Sequence, residues 1–421
     1  MVLSRKALLY LGIAYAFIGC ALFFGEPYLS ALVVPIAFLF FISHKPGSSL
    51  RTSMNSSRVL YPDRSLGDED VEITLGVQNN SLQNFDNVYL DEIIAEPLKI
   101  KSGTKSFTMS VRSGETIENH YTISAPKRGI YNLGPMSVSV SDIMGFREVS
   151  EQIGNTDELI VLPRMEEVGI LNLKATRLSP WPGQIPSHKI GSGSEFFELS
   201  PYVPGDELRR VNWKASAKLG ELITNEFEGE QATDVLVLLD CSQEIQPELL
   251  DFDAVEFEVN VTASLCSQLI RQGNRVGLSV YGAVRTWVSL GFGRKHLLRI
   301  LDNLAIAKPG RATIPMDYAV QSVIISTVPA RSVIVVVSPL DSDDIVEVIM
   351  DVATKGYNVV CFTPTIQSKG TRGPLNIARR VLTIERRARM MQTAKVATLI
   401  EISPKVRIKS MLRGRKTGRP L

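Results

Sequence analysis

Asp240, Ser242 and Glu244 are the residues of this chain whose types and spacing best suit the binding of a ligand. They alternate along a short polar stretch that directly follows the apolar run 235–239. Such a run indicates a strand buried on both faces, and parallel sheets bind ligands at the carboxyl ends of their strands. Carboxylate and hydroxyl oxygens are ligands that Mg²⁺ prefers. Two interpretations stay open: a cation site, or a strand end at which Asp240 accepts hydrogen bonds from local backbone.

A second group of residues suits the recognition of a protein. The group, called here the Tyr202 motif, consists of Tyr202, Gly205, Asp206, Arg209, Asn212, Trp213 and Lys214. Asp206 as an N-cap and Gly220 as a C-terminal stop predict one amphipathic helix between them. This helix either packs on its neighbour with its charged residues solvated, or presents Trp213 and Arg209 to a partner. Trp and Arg are common anchors of protein interfaces.

No residue pattern indicates an enzyme. The cysteines show neither zinc spacing nor a disulfide framework, and the histidines are scattered over the chain. The sequence also has no Gly-rich phosphate loop and no Ser-His-Asp pattern. We therefore expect a protein without catalytic residues.

The first 45 residues predict a helical hairpin that spans a membrane. Positions 7–24 are an uncharged run of 18 residues, a Gly-Glu-Pro turn follows, and a second apolar helix is predicted over about 28–43. A span needs about 20 apolar residues, so the first run is long enough and the second is short. Bases flank the two open ends but not the tip, which places the soluble domains in the cytoplasm by the positive-inside rule. A cleaved signal peptide, a lipoprotein processing site at Cys20, and a single span followed by an interfacial helix stay as alternatives.

The remaining chain predicts two soluble domains and a connecting segment. Over 55–165, alternating apolar residues between turn sequences predict an all-β, immunoglobulin-like sandwich. The connecting segment, 166–230, is predicted to be irregular and rich in Pro, Gly and Ser over 166–200, to carry the Tyr202 motif next, and to be extended over 221–230. Over 231–403, apolar strands alternate with helices, which predicts an α/β domain with a parallel sheet.

The end of the chain is strongly basic. The whole chain has a net charge of +2, but residues 372–421 hold 14 bases and 2 acids. The last segment, 404–421, predicts a mobile basic tail that is either simply solvated or in contact with the anionic cytoplasmic leaflet. No aromatic residue is interleaved with its bases, so we expect no nucleic acid as a partner.

The polar strand end resembles the metal site of von Willebrand factor A domains, whose signature is Asp-x-Ser-x-Ser. The resemblance implies a magnesium ion held by Asp240, Ser242, the residue at position 244, a threonine in a later loop and an acid after a third buried strand. Glu244 replaces the serine, Thr313 is present, and Asp341 comes two positions late. Because two ligands are altered, we expect magnesium to bind weakly or not at all.

The order of the parts resembles the domain of unknown function 58 family of prokaryotic membrane proteins. Its pattern is two apolar helices, a β-sandwich, a Tyr-x-Pro-Gly-Asp…Arg-x-x-Asn-Trp-Lys motif and an A-like α/β domain. The resemblance implies a MoxR-type AAA+ ATPase as a partner and a role in the assembly or maturation of client proteins. We therefore expect a membrane-anchored, non-enzymatic adaptor that binds proteins. The alternative is a cation-dependent binding or adhesion protein.

Overall fold

A computed structural model describes most of the chain. The described residues are 2–3, 5–42, 54–141, 145–169, 171, 182–204, 206–231, 233–242, 252–310, 312–330, 332–365 and 374–404. They fall into two compact units, Met1–Leu162 and Pro163–Leu421. Apart from Pro404, the predicted basic tail lies outside the described residues.

Apolar helices open the first unit: α1 (Arg5–Phe24), α2 (Tyr28–Ala31) and α3 (Val33–Ile42). By length and composition, Lys6–Phe24 is a candidate membrane span. The second predicted helix is broken at Leu32, and α3 reaches only about 15 Å at 1.5 Å per residue. This is half of a hydrocarbon core of about 30 Å. Pro35 lies in the first turn of α3, where its missing N–H is tolerated. The described residues therefore contain one candidate span and do not show the second.

Strands make up the rest of the first unit. They are β1 (Val2–Leu3), β2 (Met54–Tyr61), β3 (Arg64–Leu66), β4 (Asp70–Asn79), β5 (Phe85–Ile94), β6 (Lys99–Ser102), β7 (Ser106–Val111), β8 (Thr116–Ser124), β9 (Gly129–Ser141), β10 (Arg147–Ile153) and β11 (Asp157–Leu162). One sheet has the order β2-β4-β8-β6, and in the other β9 pairs with β5, β10 and β11.

Both sheets contribute to a single hydrophobic core. Ile73 and Leu75 of β4 lie in the same buried cluster as Leu90 of β5 and Val138 of β9. Buried residues alternate with less buried ones along much of β4 and β9, as the period of two in the sequence predicts. The predicted β-sandwich is therefore confirmed, whereas its immunoglobulin-like character stays a prediction.

The second unit combines a two-stranded ribbon with a larger sheet and its helices. Its strands are β12 (Pro182–Pro201), β13 (Ile223–Gln231), β14 (Asp234–Asp240), β15 (Arg275–Tyr281), β16 (Thr286–Gly291), β17 (Val333–Val337), β18 (Asn358–Pro364) and β19 (Thr398–Ile402). Its α-helices are α4 (Trp213–Leu219), α5 (Ala254–Arg271), α6 (Arg294–Ala305), α7 (Met316–Thr327), α8 (Asp343–Thr354) and α9 (Pro374–Thr393).

The larger sheet has the order β16-β15-β14-β17-β18-β19, and neighbouring strands run parallel except at β15–β16. Every residue of β14 and β17 is buried, as their continuous apolar sequences predict. Helix α5 contacts β14, β15 and β17, while α7 and α8 share a core cluster with Leu236 and Leu238 of β14. The carboxyl ends of β14, β17 and β18 consequently meet along one edge of the sheet.

Candidate functional site

The Tyr202 motif lies beside the antiparallel ribbon of β12 and β13. Strand β12 begins within the segment 166–200, for which the sequence predicts irregular structure, so that prediction is wrong over 182–200. The strand forms because its backbone pairs with β13, and this pairing is not encoded in local composition. Several register shifts interrupt the pairing, which is how a strand rich in Gly and Pro is accommodated.

The predicted single helix of the motif is two separate pieces. A 3-10 turn covers Leu208–Arg210, and α4 begins only at Trp213. Between them, Val211 is buried and forms an isolated β-bridge with Thr224 of β13. The helix is therefore interrupted because one residue joins the ribbon instead.

Asn212, not Asp206, is the N-cap of α4. The Asn212 side chain accepts a hydrogen bond of 3.0 Å from the backbone N–H of Ala215. Asp206 instead accepts from the backbone N–H of Val203 at 2.9 Å and closes a turn. The C-terminal prediction is confirmed, since Gly220 ends α4 with a left-handed φ of +74°.

Large apolar side chains around α4 face solvent. The exposed fraction is 61% for Val203, 65% for Leu208, 66% for Trp213 and 63% for Leu219. The side chain of Arg209 is 82% exposed, and its Nε lies 2.7 Å from Oε2 of Glu207. This hydrogen bond lowers the pKa of the Glu207 carboxyl and raises that of the Arg209 guanidinium. We call Val203, Leu208, Arg209, Trp213, Lys214 and Leu219 the motif surface.

The predicted binding residues thus divide by position. Arg209, Trp213 and Lys214 are exposed, and Asp206 is exposed but engaged in its turn. Tyr202 is half-buried and its backbone N–H donates to Leu222 at 2.8 Å. Gly205 lies outside the described residues. Only part of the motif is therefore available to a partner, and its remaining described residues shape the local backbone.

Asp240 lies buried at the carboxyl end of β14, and serines occupy both of its carboxylate oxygens. Oδ1 accepts from the backbone N–H of Ser242 at 3.0 Å and from its hydroxyl at 2.6 Å. Oδ2 accepts from the hydroxyl of Ser338, beyond the end of β17, at 2.7 Å. Burial raises the pKa of Asp240 to about 6, although these hydrogen bonds oppose the shift. The geometry favours the interpretation of Asp240 as a strand-end hydrogen-bond acceptor.

The other predicted metal ligands are unevenly placed. Asp341 is buried at the same edge, and its charge contributes to the raised pKa of Asp240. The backbone N–H of Gly310 donates to Cys241, which brings the loop before Thr313 to this edge, but Thr313 itself is exposed. Glu244 lies outside the described residues. Within the described ranges, no three acidic, His or Cys side chains are arranged to hold a metal ion. Asp240, Ser242 and Asp341 thus lie at one edge while Thr313 is exposed, and weak or absent magnesium binding at the site implied by the A-domain resemblance stays a prediction.

Glu258 of α5 is a buried carboxylate that the sequence reasoning missed. It is 1% exposed, and neither of its oxygens has a hydrogen-bond partner among the described residues. Burial raises the pKa of Glu258 well above its usual value, and the nearby charges of Asp240 and Asp341 raise it further. Helical spacing predicts the burial of Glu258, because it lies four residues from both Ala254 and Thr262 on the buried face of the helix.

Arg386 of α9 is the buried cation beside these acids. Its Nε donates to the carbonyl of Pro339 at 2.7 Å, and its NH2 donates to Oγ1 of Thr363 at 2.7 Å and to the carbonyl of Pro364. These bonds tie the segment after β17 to the end of β18. In the same segment, Leu340 is buried with a left-handed φ of +55°, which is rare for a residue other than glycine. The edge is therefore a tightly bonded, partly strained cluster of buried charges.

The chain is similar to proteins whose names state no activity. Residues 198–363 match the family model described as "Protein of unknown function DUF58", and this range includes the Tyr202 motif. The "Uncharacterized protein YeaD" of Bacillus subtilis is 26% identical over 223 residues, or 53% of this chain and 54% of that protein. The "Uncharacterized protein Rv1480" of Mycobacterium tuberculosis is 27% identical over 131 residues, which cover 31% of this chain and 41% of that protein. The chain thus spans about half or less of these relatives. The family-model match and the Bacillus subtilis relative support the resemblance to the family.

Similarity to solved structures is weak. The CARDB domain of a Pyrococcus furiosus protein is 16% identical, covers 26% of this chain and 94% of that domain, and has a TM-score of 0.20. A byssus matrix protein of a mussel is 11% identical, covers 40% of this chain and 42% of that protein, and has a TM-score of 0.27. Scores this low carry no argument about fold or function.

Proposed function

We propose that this protein is a membrane-anchored, non-enzymatic adaptor that binds other proteins through the motif surface. The observation that carries the proposal is the exposure of Trp213 and Arg209 together with three large apolar side chains on one small structure. Soluble proteins commonly expose single apolar residues, but Trp and Arg are typical anchors of protein interfaces, so a short segment that exposes both together with three apolar side chains is a candidate interface.

The local structure supports this function because it holds the surface in place. Asn212 caps α4, Gly220 ends it, and Val211 ties its start to β13. A contact presented by a fixed backbone loses less conformational entropy on binding than one on a loose segment. The motif residues that are not exposed therefore contribute by fixing the position of Trp213.

The proposed partner is a MoxR-type AAA+ ATPase, and the proposed work is the assembly or maturation of client proteins. Both come from the family resemblance, which the match over residues 198–363 supports. In this proposal, the α/β domain of the second unit corresponds to the A-like domain of the family. Helix α1 anchors the chain, α2 and α3 complete the predicted hairpin, and both soluble units lie on the cytoplasmic side.

The test is binding of the full chain, in detergent, to the purified ATPase. The Arg209→Ala, Trp213→Ala double variant should lose most of its affinity, because truncating an interface anchor typically costs about 2 kcal/mol or more. The matched control is Arg285→Ala, Trp287→Ala, which removes the same two residue types at exposed positions, Arg285 just before β16 and Trp287 within it. Equal binding by both double variants would overturn the proposed surface. Failure of the wild-type chain to bind would overturn the partner.

The alternative function, cation-dependent binding or adhesion, predicts that the same measurement depends on magnesium. Among the described residues of this edge, the buried carboxylates of Asp240, Glu258 and Asp341 outnumber the one buried cation beside them, Arg386. This excess of negative charge would attract a cation. The hydroxyl bonds on both oxygens of Asp240 count against it. Magnesium at millimolar concentration should therefore leave both the partner affinity and the Tm unchanged. A rise in Tm that disappears in Asp240→Ala would favour the alternative.

A further inference from the structure

The outer face of α9 carries a row of exposed apolar side chains. Ile377, Val381, Ile384, Ala388 and Met391 recur at intervals of three or four residues, which places them on one side of the helix. The exposed fraction is 68% for Ile377, 67% for Ile384 and 65% for Met391. At 1.5 Å per residue, this apolar row is about 21 Å long.

The opposite face of α9, which packs on the domain, is the more polar one. Arg386 and Thr393 are buried there, and Arg389 donates to Asp343 at 2.6 Å. A surface helix usually turns its apolar stripe toward the core and its charges toward water. In α9 the buried face carries Arg386, which donates hydrogen bonds to Pro339, Thr363 and Pro364, while the apolar row is exposed to solvent. The fold of the described domain therefore does not account for the apolar row.

Basic side chains border the apolar row. Arg380 and Arg387 are exposed and lie seven residues apart, so they share one flank of the row. Lys395 is exposed just beyond the C-terminal end of the helix. Glu385 is the only acid of α9 against five arginines, of which Arg386 and Arg389 belong to the packed face. An apolar row flanked by bases is the pattern of a helix that lies in the interface of an anionic bilayer.

The motif surface has a different charge pattern and so suits a different partner. There Arg209 is paired with Glu207, and Asp206 is exposed close by. Residues 206–219 hold two acids and four bases, whereas α9 holds one acid and five arginines. The excess of bases around α9 is complementary to anionic lipid headgroups.

We propose that α9 lies in the headgroup region of an anionic bilayer, with its apolar row toward the acyl chains and Arg380 and Arg387 at the lipid phosphates. The inference rests on the membrane anchoring within the proposed function. It adds a second membrane contact, made by the α/β domain itself. Its effect is to hold one edge of that domain at the membrane surface.

The test measures how close single positions of the full chain come to lipid. Ile384→Cys is made in a Cys20→Ala background and labelled with an environment-sensitive fluorophore, since the other cysteines are buried. The protein is reconstituted into vesicles of phosphatidylglycerol and phosphatidylcholine that contain nitroxide-labelled lipid. The matched control is Arg299→Cys in the same background, on the exposed side of α6 near the opposite edge of the sheet. A wild-type chain labelled at Cys20 reports on the anchor.

We expect a blue shift and strong quenching at position 384, no quenching at position 299, and loss of the quenching at 384 in pure phosphatidylcholine vesicles. Arg380→Glu with Arg387→Glu should also abolish it. Quenching at Cys20 combined with none at position 384 would overturn the inference and leave the anchor intact. Quenching at 384 that persists after both charge reversals would likewise overturn the anionic contact. Absence of quenching at Cys20 would overturn the anchoring itself.

Discussion

Ser338 and Asp240 join the ends of two adjacent parallel strands, because the Ser338 hydroxyl donates a hydrogen bond of 2.7 Å to Oδ2 of Asp240. The backbone N–H of Leu340 in turn donates to the Ser338 hydroxyl oxygen at 3.0 Å. A short chain of hydrogen bonds therefore fixes the segment after β17 against the end of β14.

Asp240→Asn should stabilise the protein at neutral pH. The pKa of Asp240 is about 6 in the fold and 3.8 as a free group, so the folded state binds more protons than the unfolded state between these values. The Asp240 contribution to stability therefore falls as the pH rises from about 4 to 6, by about 3 kcal/mol at most. The raised pKa of Glu258 extends the same trend to higher pH.

The measurement for Asp240 is the difference in Tm between wild type and Asp240→Asn. We expect the variant to melt higher at pH 7.5 and to lose this advantage at pH 4.5. Ser338 can reverse its hydroxyl to accept from the new amide, so the hydrogen-bonding site survives the change. A difference in Tm that stays constant across this range would show that Asp240 does not titrate as stated.

Arg386→Met should destabilise the second unit strongly. The substitution leaves the carbonyls of Pro339 and Pro364 without their donor, and it removes a positive charge that lies near Glu258. Removing one partner from a buried charged network costs roughly 3–5 kcal/mol. For a domain of this size we expect Tm to fall by roughly 10 °C.

The control for Arg386 is Arg380→Met, the same substitution at an exposed position of the same helix. It should change the Tm little, because surface substitutions are usually within about 0.5 kcal/mol. Similar losses of Tm from both variants would mean that helix propensity, not the buried clamp, is responsible.

Asn212→Ala should loosen α4 without unfolding the second unit. An N-cap of this type contributes about 1 kcal/mol. Hydrogen exchange of the α4 amides should then accelerate about fivefold. Asn212→Ser keeps a capping oxygen and should leave the exchange rate nearly unchanged. If the serine variant exchanges as fast as the alanine variant, the bond of 2.8 Å from Asn212 to Asn225 is the stabilising one.

Leu82→Cys tests the side of the membrane. The Leu82 side chain is 98% exposed in the β-sandwich, whereas Ser81 is hydrogen-bonded to Asn79 and less accessible. In a Cys20→Ala background, the new thiol should stay unlabelled by an impermeant reagent in intact cells and react after lysis. Labelling in intact cells would place the sandwich outside and contradict the cytoplasmic topology.

Local sequence sufficed for the elements whose stability is mainly local or whose burial is complete. The central strands β14 and β17 are continuous apolar runs, and no alternative periodicity competes with them. The same holds for the alternating strands of the sandwich and for the stop of α4 at Gly220, a residue that adopts a left-handed φ without cost.

Elements that depend on distant partners could not be predicted in this way. Asp206 is a good N-cap by type, but the bridge from Val211 to Thr224 starts the helix later, at Asn212. Strand β12 exists through its pairing with β13, although its own residues favour irregular structure. The burial of Arg386 likewise follows from carbonyls that the chain supplies 22 and 47 residues earlier.

The order of synthesis gives the buried edge a particular history. The apolar strand β14 is synthesised before both of the strands that pair with it. β15 follows about 41 residues later and β17 about 98 residues later. At roughly 5–20 residues per second, this delay lasts about 5–20 s. During that interval β14 is an unpaired hydrophobic strand that is prone to aggregate, and Asp240 lacks the hydrogen bond from Ser338. Long-range parallel pairing of this kind is intrinsically slow to form.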